Sequence, residues 1–264
     1  MDWLTVVACV LASFLFLTAI FFVARAKNRY DVIDIAWGLA FIAIAGVSYI
    51  VQSEIKFISV QTLTTLLVIV WGLRLSLHIN ARWSHSTKED ARYTDMRHKY
   101  SKLPGGAALN MYTRVFLVQA ILAVIISTSV IIINASAPVP LGWAAVIGVI
   151  IWMIGFFFES TGDKQLQNHL ANPKNKTKLM TSGLWKYTRH PNYFGEAIQW
   201  WGIWVIALSV PFGWVGMISP IVITILLVFI SGVPLTEKRF EGRPGWEKYK
   251  KETSIFLPLP PKRG

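Results

Sequence analysis

The residues best placed to do chemistry lie between Ser182 and Gly202, in the run SGLWKYTRHPNYFGEAIQWWG. A polar loop ends in Arg189-His190-Pro191-Asn192. An apolar helix then begins with Glu196 already inside it. A helix entrance needs far less polar and aromatic chemistry than this, so the stretch reads as a binding site. Three other ionisable residues, Asp34, Arg74 and Glu159, stand inside apolar runs or at their ends. Such residues usually face a bundle interior, pair with one another or mark a substrate path. Arg74 fits equally well as an interface residue whose long stem reaches the head groups. Asp34 and Glu196 have short reach and read as buried.

The loops carry a denser signal. Asn80, Arg82 and Trp83 follow one apolar run, then Glu89-Asp90-Ala91-Arg92-Tyr93 and Arg97. Glu159 and Asp163 are four apart and so share a helical face. Lys178 precedes the opening stretch, Tyr187 lies within it, and Glu237, Arg239, Arg243, Trp246 and Tyr249 come after it. The mixture suits a polyanion carrying a heterocycle: arginines for phosphates, aromatic rings for stacking, carboxylates and amides for ribose hydroxyls. A basic face set against anionic lipid is the competing reading. Neither a GxGxxG turn nor a GxxxxGK[ST] loop is present, so no Rossmann or P-loop site is expected. The five histidines show no HExxH spacing, and no metal is expected.

These residues must be positioned by helices in a membrane. The chain has 264 residues, of which 54% are hydrophobic, too apolar for a soluble domain of this length. Its apolar runs are about twenty residues long and do not alternate, which selects an all-α polytopic protein over a barrel. Seven spans are expected, at 3–24, 31–51, 57–79, 111–134, 140–158, 194–212 and 214–232. The connections on one side hold 24 of the 26 Lys and Arg residues; the other side holds Lys56, and Arg74 lies within a span. That bias places the N-terminus outside and the C-terminus in the cytoplasm. The net charge of +12 is then an orientation signal, and no nucleic-acid partner is expected. Met1-Asp2-Trp3 lacks a basic leader, so the first run is read as a retained span. The single Cys9 excludes an intramolecular disulfide. Leu257-Pro258-Leu259-Pro260-Pro261 is expected to be non-helical and to end the ordered chain.

The segment from Gly183 to Glu196 resembles the C-terminal signature of the membrane steroid 5-alpha-reductases and their bacterial relatives. Sterol C14-reductases share a related pattern, as do isoprenylcysteine carboxyl methyltransferases, which use S-adenosylmethionine. The rest of the chain discriminates. Asp34-Ile35-Ala36-Trp37-Gly38, Trp71-Gly72-Leu73-Arg74-Leu75, Glu89 to Tyr93, Glu159 to Gln165 and the tail from Glu237 to Pro258 are similar to the bacterial branch of the reductase family.

The resemblance implies a single seven-helix reductase domain over 1–264, with 1–110 on the substrate side and 111–264 forming the nucleotide-binding part. It implies NADPH-dependent reduction of the carbon–carbon double bond of a 3-oxo-4-ene steroid or similar enone lipid. The hydrophobic substrate would enter from the bilayer, among membrane lipids. The expected setting is a bacterial inner membrane and the expected state a monomer. Asn192, Tyr193 and Glu196 match positions near the nicotinamide, and Asp163 an acidic position that contacts the nucleotide. Arg82, Arg92 and Lys178 are the phosphate candidates. Asn80, Tyr93, Glu159, Tyr187, Arg189, His190, Glu237 and Arg239 complete the expected cofactor set.

In the animal enzymes a glutamate and a tyrosine hold the substrate ketone. Asp34 and Trp71 stand at those places, so both are the catalytic candidates. Asp34 would donate to the ketone oxygen if apolar surroundings keep it protonated. The rival activities are an S-adenosylmethionine-dependent isoprenylcysteine or lipid methyltransferase and a non-catalytic lipid- or sterol-binding protein.

Overall fold

The computed structural model describes residues 2–52 and 54–262. Met1, Ser53, Arg263 and Gly264, which fall in the expected N-terminus, the Gln52-to-Lys56 connection and the tail, lie outside the described residues. All regular structure among the described residues is helical, apart from one isolated bridge between Thr188 and Ser254. The chain divides into two compact units.

Unit 1 comprises Met1–Gly142 and Ala207–Ile218. It holds α1 (Trp3–Lys27), α2 (Val32–Val51), α3 (Val60–Ser84), α4 (Ala91–Ser101), α5 (Gly106–Met111), α6 (Leu117–Ile126) and α7 (Thr128–Asn134). Helix α1 starts where the Asp2 carboxylate accepts the Leu4 N–H at 3.0 Å, and it stops at Asn28, whose φ of 52° no helix can continue. Helices α2 and α3 meet backbone to backbone at Gly38 and Gly72. A Cβ on Gly72 would stand 2.6 Å from the Gly38 carbonyl oxygen. Asn134 is fully buried and ties α7 to both: its amide donates to Ser48 Oγ at 2.8 Å and Thr65 Oγ1 at 3.2 Å.

Unit 2 comprises Trp143–Ile206 and Ser219–Gly264. It holds α8 (Trp143–Ala171) and most of α9 (Pro191–Ala207) and α10 (Ile218–Ile225), followed by α11 (Val233–Lys238) and α12 (Trp246–Glu252). Its backbone is a glycine repeat. Gly148, Gly155 and Gly162 recur every seven residues on α8, and Gly195 and Gly202 do so on α9. A seven-residue spacing keeps successive glycines on one side of a helix. A Cβ on Gly155 would lie 2.5 Å from the Gly195 carbonyl oxygen, and one on Gly202 would lie 2.6 Å from that of Gly148. Small residues let apolar helices approach until their backbones touch, which is how helices associate in lipid.

Six helical segments among the described residues are long and apolar enough to cross a membrane: Trp3–Lys27, Val32–Val51, Val60–Ser84, Gly106–Ile126, Trp143–Ala171 and Gly213–Lys238. The chain is thus an all-α, multi-pass membrane protein in architecture. The span expected at 194–212 corresponds to α9, a shorter helix of 17 residues. The fifth expected span, 140–158, continues to Ala171, because nothing breaks the helix before Asn172-Pro173. The fourth is interrupted by a π-turn at Tyr112–Phe116 and a break at Ser127. The Leu257–Pro261 stretch is non-helical as expected, yet it is tied down. The Leu259 N–H donates to the Tyr187 carbonyl at 3.0 Å, and that of Lys262 to Glu252 at 2.9 Å.

Candidate active site

Each unit carries its own polar cluster. In unit 2 the glycine contacts bring the polar faces of α8 and α9 together. Asn192, Glu196 and Gln199 recur at helical spacing on α9, opposite Glu159 and Asp163 on α8, and all but Asn192 are buried below a tenth of their surface. The Asn192 amide donates to Asp163 Oδ1 at 3.0 Å, and the Gln199 amide donates to Glu159 Oε2 at 2.5 Å. A carboxylate only accepts, so each amide must turn its NH2 toward the acid. Their oxygens, Asn192 Oδ1 and Gln199 Oε1, then face away, buried and without a donor among the described residues.

The loop before α9 is held by bonds that hydropathy does not reveal. Gly183 has a φ of +64° and lies against the Gln165 side chain, whose oxygen accepts the Leu184 N–H at 3.0 Å. The Trp185 indole donates to the Gly162 carbonyl at 3.1 Å. Arg189 donates from Nε to Glu237 at 2.7 Å, and from one terminal nitrogen to the Lys250 and Thr253 carbonyls at 3.0 and 2.7 Å. His190 is 1% exposed and stacks on Tyr193, with centroids 5.4 Å apart, while its Nε2 meets Glu237 at 3.2 Å. Glu237 accepts, so Nε2 carries the proton and Nδ1 is an acceptor. Nδ1 too is buried without a partner among the described residues. Burial lowers the His190 pKa, and the Glu237 carboxylate offsets this only in part, so the ring stays neutral at physiological pH.

In unit 1 the centre is Asp34, at the start of α2. Its Oδ2 accepts Arg92 at 2.8 Å and its Oδ1 accepts the Tyr93 hydroxyl at 2.5 Å. Both partners sit on the first turn of α4, which Asp90 caps by accepting the Arg92 N–H at 2.9 Å. Asp90 also accepts Arg92 Nε at 3.0 Å and so aims the guanidinium at Asp34. Burial works against the charge on Arg92, but the Asp34 and Asp90 carboxylates more than offset it, and its pKa stands above the usual value. Tyr93 is 4% exposed; burial, then the Asp34 charge, hold its pKa well above the usual phenol range. The phenol therefore keeps its proton, which it donates to Asp34. The Gln119 side chain lies close enough to lower that pKa slightly.

The expected site residues thus separate into those brought together and those left apart. Asp163, Glu159, Asn192, Glu196, His190, Tyr193, Arg189 and Glu237 lie together in unit 2, and Asp34, Arg92 and Tyr93 in unit 1. Trp71 is 1% exposed and packs edge-on against Phe41, with centroids 5.2 Å apart. Asn80 and Arg82 stand exposed at the end of α3, and Lys178, Tyr187 and Arg239 are exposed in unit 2. Gln199, Gln165, Asp31 and Gln119 were not expected. Gln199 was detectable from its place three and seven residues after Glu196 and Asn192 on one helical face. Asp31 accepts Arg29, the Trp83 indole and the Asp90 N–H; against the upward push of burial these bonds hold its carboxyl below the usual range.

Comparison with known proteins adds a family. The family described as "Protein of unknown function (DUF1295)" matches residues 20–253. Among curated proteins, the chain is 36% identical over 83 residues to the Delta(14)-sterol reductase ERG24 of Saccharomyces cerevisiae. It is 31% identical over 75 residues to the steroid 5-alpha-reductase DET2 of Arabidopsis thaliana. Each match takes in 28% of this chain, and only 17% and 27% of the two relatives' own lengths. No solved structure matches.

Proposed function

The chain belongs to the DUF1295 family, a steroid 5-alpha-reductase-like family, and on that premise we propose that it is a membrane reductase of sterol-like lipids. The reaction is addition of hydride to a carbon–carbon double bond conjugated to a ketone, with NADPH as the donor. The substrate is a 3-oxo-4-ene steroid or a similar enone lipid.

The observation that carries this reading is the acceptor set of unit 2. Asn192 Oδ1, Gln199 Oε1 and His190 Nδ1 are buried acceptors that call for N–H or O–H donors. A nicotinamide carboxamide, an adenine amine and ribose hydroxyls are such donors, so the residues present fit the cofactor. NADPH when bound supplies the hydride. Glu159 and Asp163 hold the amides in the accepting orientation, and Glu196 shares their face of the helix pair. Within unit 2, Lys178, Tyr187 and Arg239 are exposed and are the candidates for phosphates and base, while Asn80 and Arg82, exposed on unit 1, rest on the resemblance alone. Arg189 and Glu237 act as loop anchors, since both are engaged within the unit.

The proton side of the reaction belongs to unit 1. Negative charge develops on the ketone oxygen, and a donor must be aimed at it. Both Asp34 oxygens are occupied as acceptors, so the proposed donor is the Tyr93 phenol, whose single proton turns from Asp34 to the ketone oxygen when substrate binds. Arg92 positions Asp34 and is not free for a phosphate. Tyr93 thus fills the role that the resemblance left to Trp71, whose indole packs in the core.

The finer topology follows the charge bias: seven crossings, α9 among them, with the N-terminus outside and the C-terminus cytoplasmic. The protein is read as a monomer of a bacterial inner membrane, with one catalytic domain over 1–264.

S-adenosylmethionine also offers hydrogen-bond donors, so thermal stabilisation by NADPH is compared with that by S-adenosylmethionine on the purified protein. Stabilisation by NADPH, together with its oxidation in the presence of 3-oxo-4-ene steroids, is expected. A shift with S-adenosylmethionine alone overturns the reductase reading. NADPH binding without oxidation across a panel of enone lipids leaves a non-catalytic lipid-binding protein.

A further inference from the structure

We propose that unit 1 carries a separate site for the head group of an aminophospholipid, a phosphate ester bearing a primary ammonium, at the end of α1. The turn between α1 and α2, the segment leading into α4 and the first turns of α4 border an open surface cleft of about 580 Å³, lined by Lys27, Arg29, Lys88, Glu89, Asp95 and Arg97 among others. Its walls are built. The Arg29 guanidinium lies 4.0 Å over the Trp83 ring and donates to Asp31 at 2.8 Å and to the Ser86 carbonyl at 2.7 Å. Glu89 accepts the Tyr30 N–H at 2.6 Å and pairs with Arg97 at 3.1 Å. Within this satisfied frame three charges are left over. Neither the ammoniums of Lys27 and Lys88 nor the carboxylate of Asp95 has a hydrogen bond or ion pair among the described residues.

The cleft stands where the apolar part of α1 ends. Leu4, Val7, Leu11, Leu15 and Phe22 are exposed at three-, four- and seven-residue spacing, one unbroken apolar stripe along the helix. Exposed Val23 lies four residues before Lys27, on the same face. An acyl chain laid on this stripe brings its phosphate to two lysines and its ammonium to one carboxylate. A primary ammonium has three N–H donors for Asp95; a trimethylammonium has none. A glycerol head group offers Asp95 neutral hydroxyls but no cation. Free phosphate uses the lysines but neither the carboxylate nor the stripe. The site is independent of the reductase reading.

The test is lipid binding by native mass spectrometry on the delipidated full chain in detergent. Phosphatidylethanolamine, phosphatidylcholine and phosphatidylglycerol of matched chains are offered in equal amounts. Phosphatidylethanolamine is expected to be retained over each of the others by roughly threefold, the scale of one partly exposed charge pair. Asp95→Asn should bring its ratio to phosphatidylcholine to near one without changing Tm. The double variant Lys27→Gln, Lys88→Gln should lower retention of all three. Inorganic phosphate alone should give no thermal shift. Preference for phosphatidylglycerol, a shift with phosphate equal to that with lipid, or a ratio unmoved by Asp95→Asn would each overturn the proposal.

Discussion

Between α2 and α3 the backbones touch at one place, Gly38 against Gly72. Between α8 and α9 the contact repeats, with Gly148 against Gly202 and Gly155 against Gly195. The polar clusters beside these pairs are held in correspondingly different ways. In unit 2 the register of two helices alone sets Asn192 against Asp163 and Gln199 against Glu159, with neutral amides turned by acids. In unit 1 the helix pair supplies only Asp34. Its partners Arg92 and Tyr93 arrive on a short surface helix, aimed by the cap residue Asp90. One cluster depends on backbone distance, the other on charge.

That contrast can be broken first at the glycines. Gly155→Leu places a side chain where a Cβ already lies 2.5 Å from the Gly195 carbonyl oxygen and 2.7 Å from the Gln199 nitrogen. Two helix backbones cannot yield that space, so a loss on the order of 3 kcal/mol or more is expected. It should be read as a lowered Tm or loss of a monodisperse species. Gly46→Leu on α2 meets nothing within 4 Å and should behave like the parent.

Next comes the charged cluster. Tyr93→Phe and Asp34→Asn should each lower turnover by about 10²-fold or more, the scale of one lost donor at a developing oxyanion. Both should keep the thermal shift given by NADPH. Loss of that shift in Asp34→Asn would mean that the cluster serves the cofactor instead. Trp71→Phe should be milder in turnover than either.

A third change separates the units by binding. Asn192→Ala removes a buried acceptor and one donor to Asp163. NADPH affinity should fall by roughly tenfold, about 1.4 kcal/mol, with turnover at saturating NADPH little altered. The smallest effect concerns His190. Its folded pKa lies below the ordinary value of 6.5, so the unfolded chain takes up the proton first as pH falls. Stability contributed by the neutral ring is full above pH 6.5 and is lost as pH drops from 6.5 toward the lower folded pKa. His190→Gln should flatten that part of the Tm–pH curve.

The helices were legible because a soluble fold has little use for unbroken apolar runs of span length. The loop from Ser182 was legible because its polar and aromatic residues have no use in lipid. Less was readable of what each charge does. Arg92 and Arg189 look alike as phosphate ligands in sequence. Their carboxylates stand 58 and 48 residues away, and no spacing rule reaches that far. Tyr93 was assigned to the cofactor side for the same reason. The glycine sevens on α8 and α9 were visible in the chain. Hydropathy averages them away, since glycine is neither a charge nor a strong apolar residue.

The anchoring of the Thr188–Arg189 backbone has a consequence for synthesis. Arg189 donates to the Thr253 carbonyl across a sequence separation of 64, and its own N–H donates to the Ser254 carbonyl. While the chain is being made, the loop ahead of α9 has no partner for these groups. At about 5–20 residues per second the wait is roughly 3–13 s. For the part of that time after Ala207 has been made, α8 and α9 can already be zipped by their glycines, with the entrance between them unlatched. Translation order thus puts the closing of the loop last, after the helices that frame it.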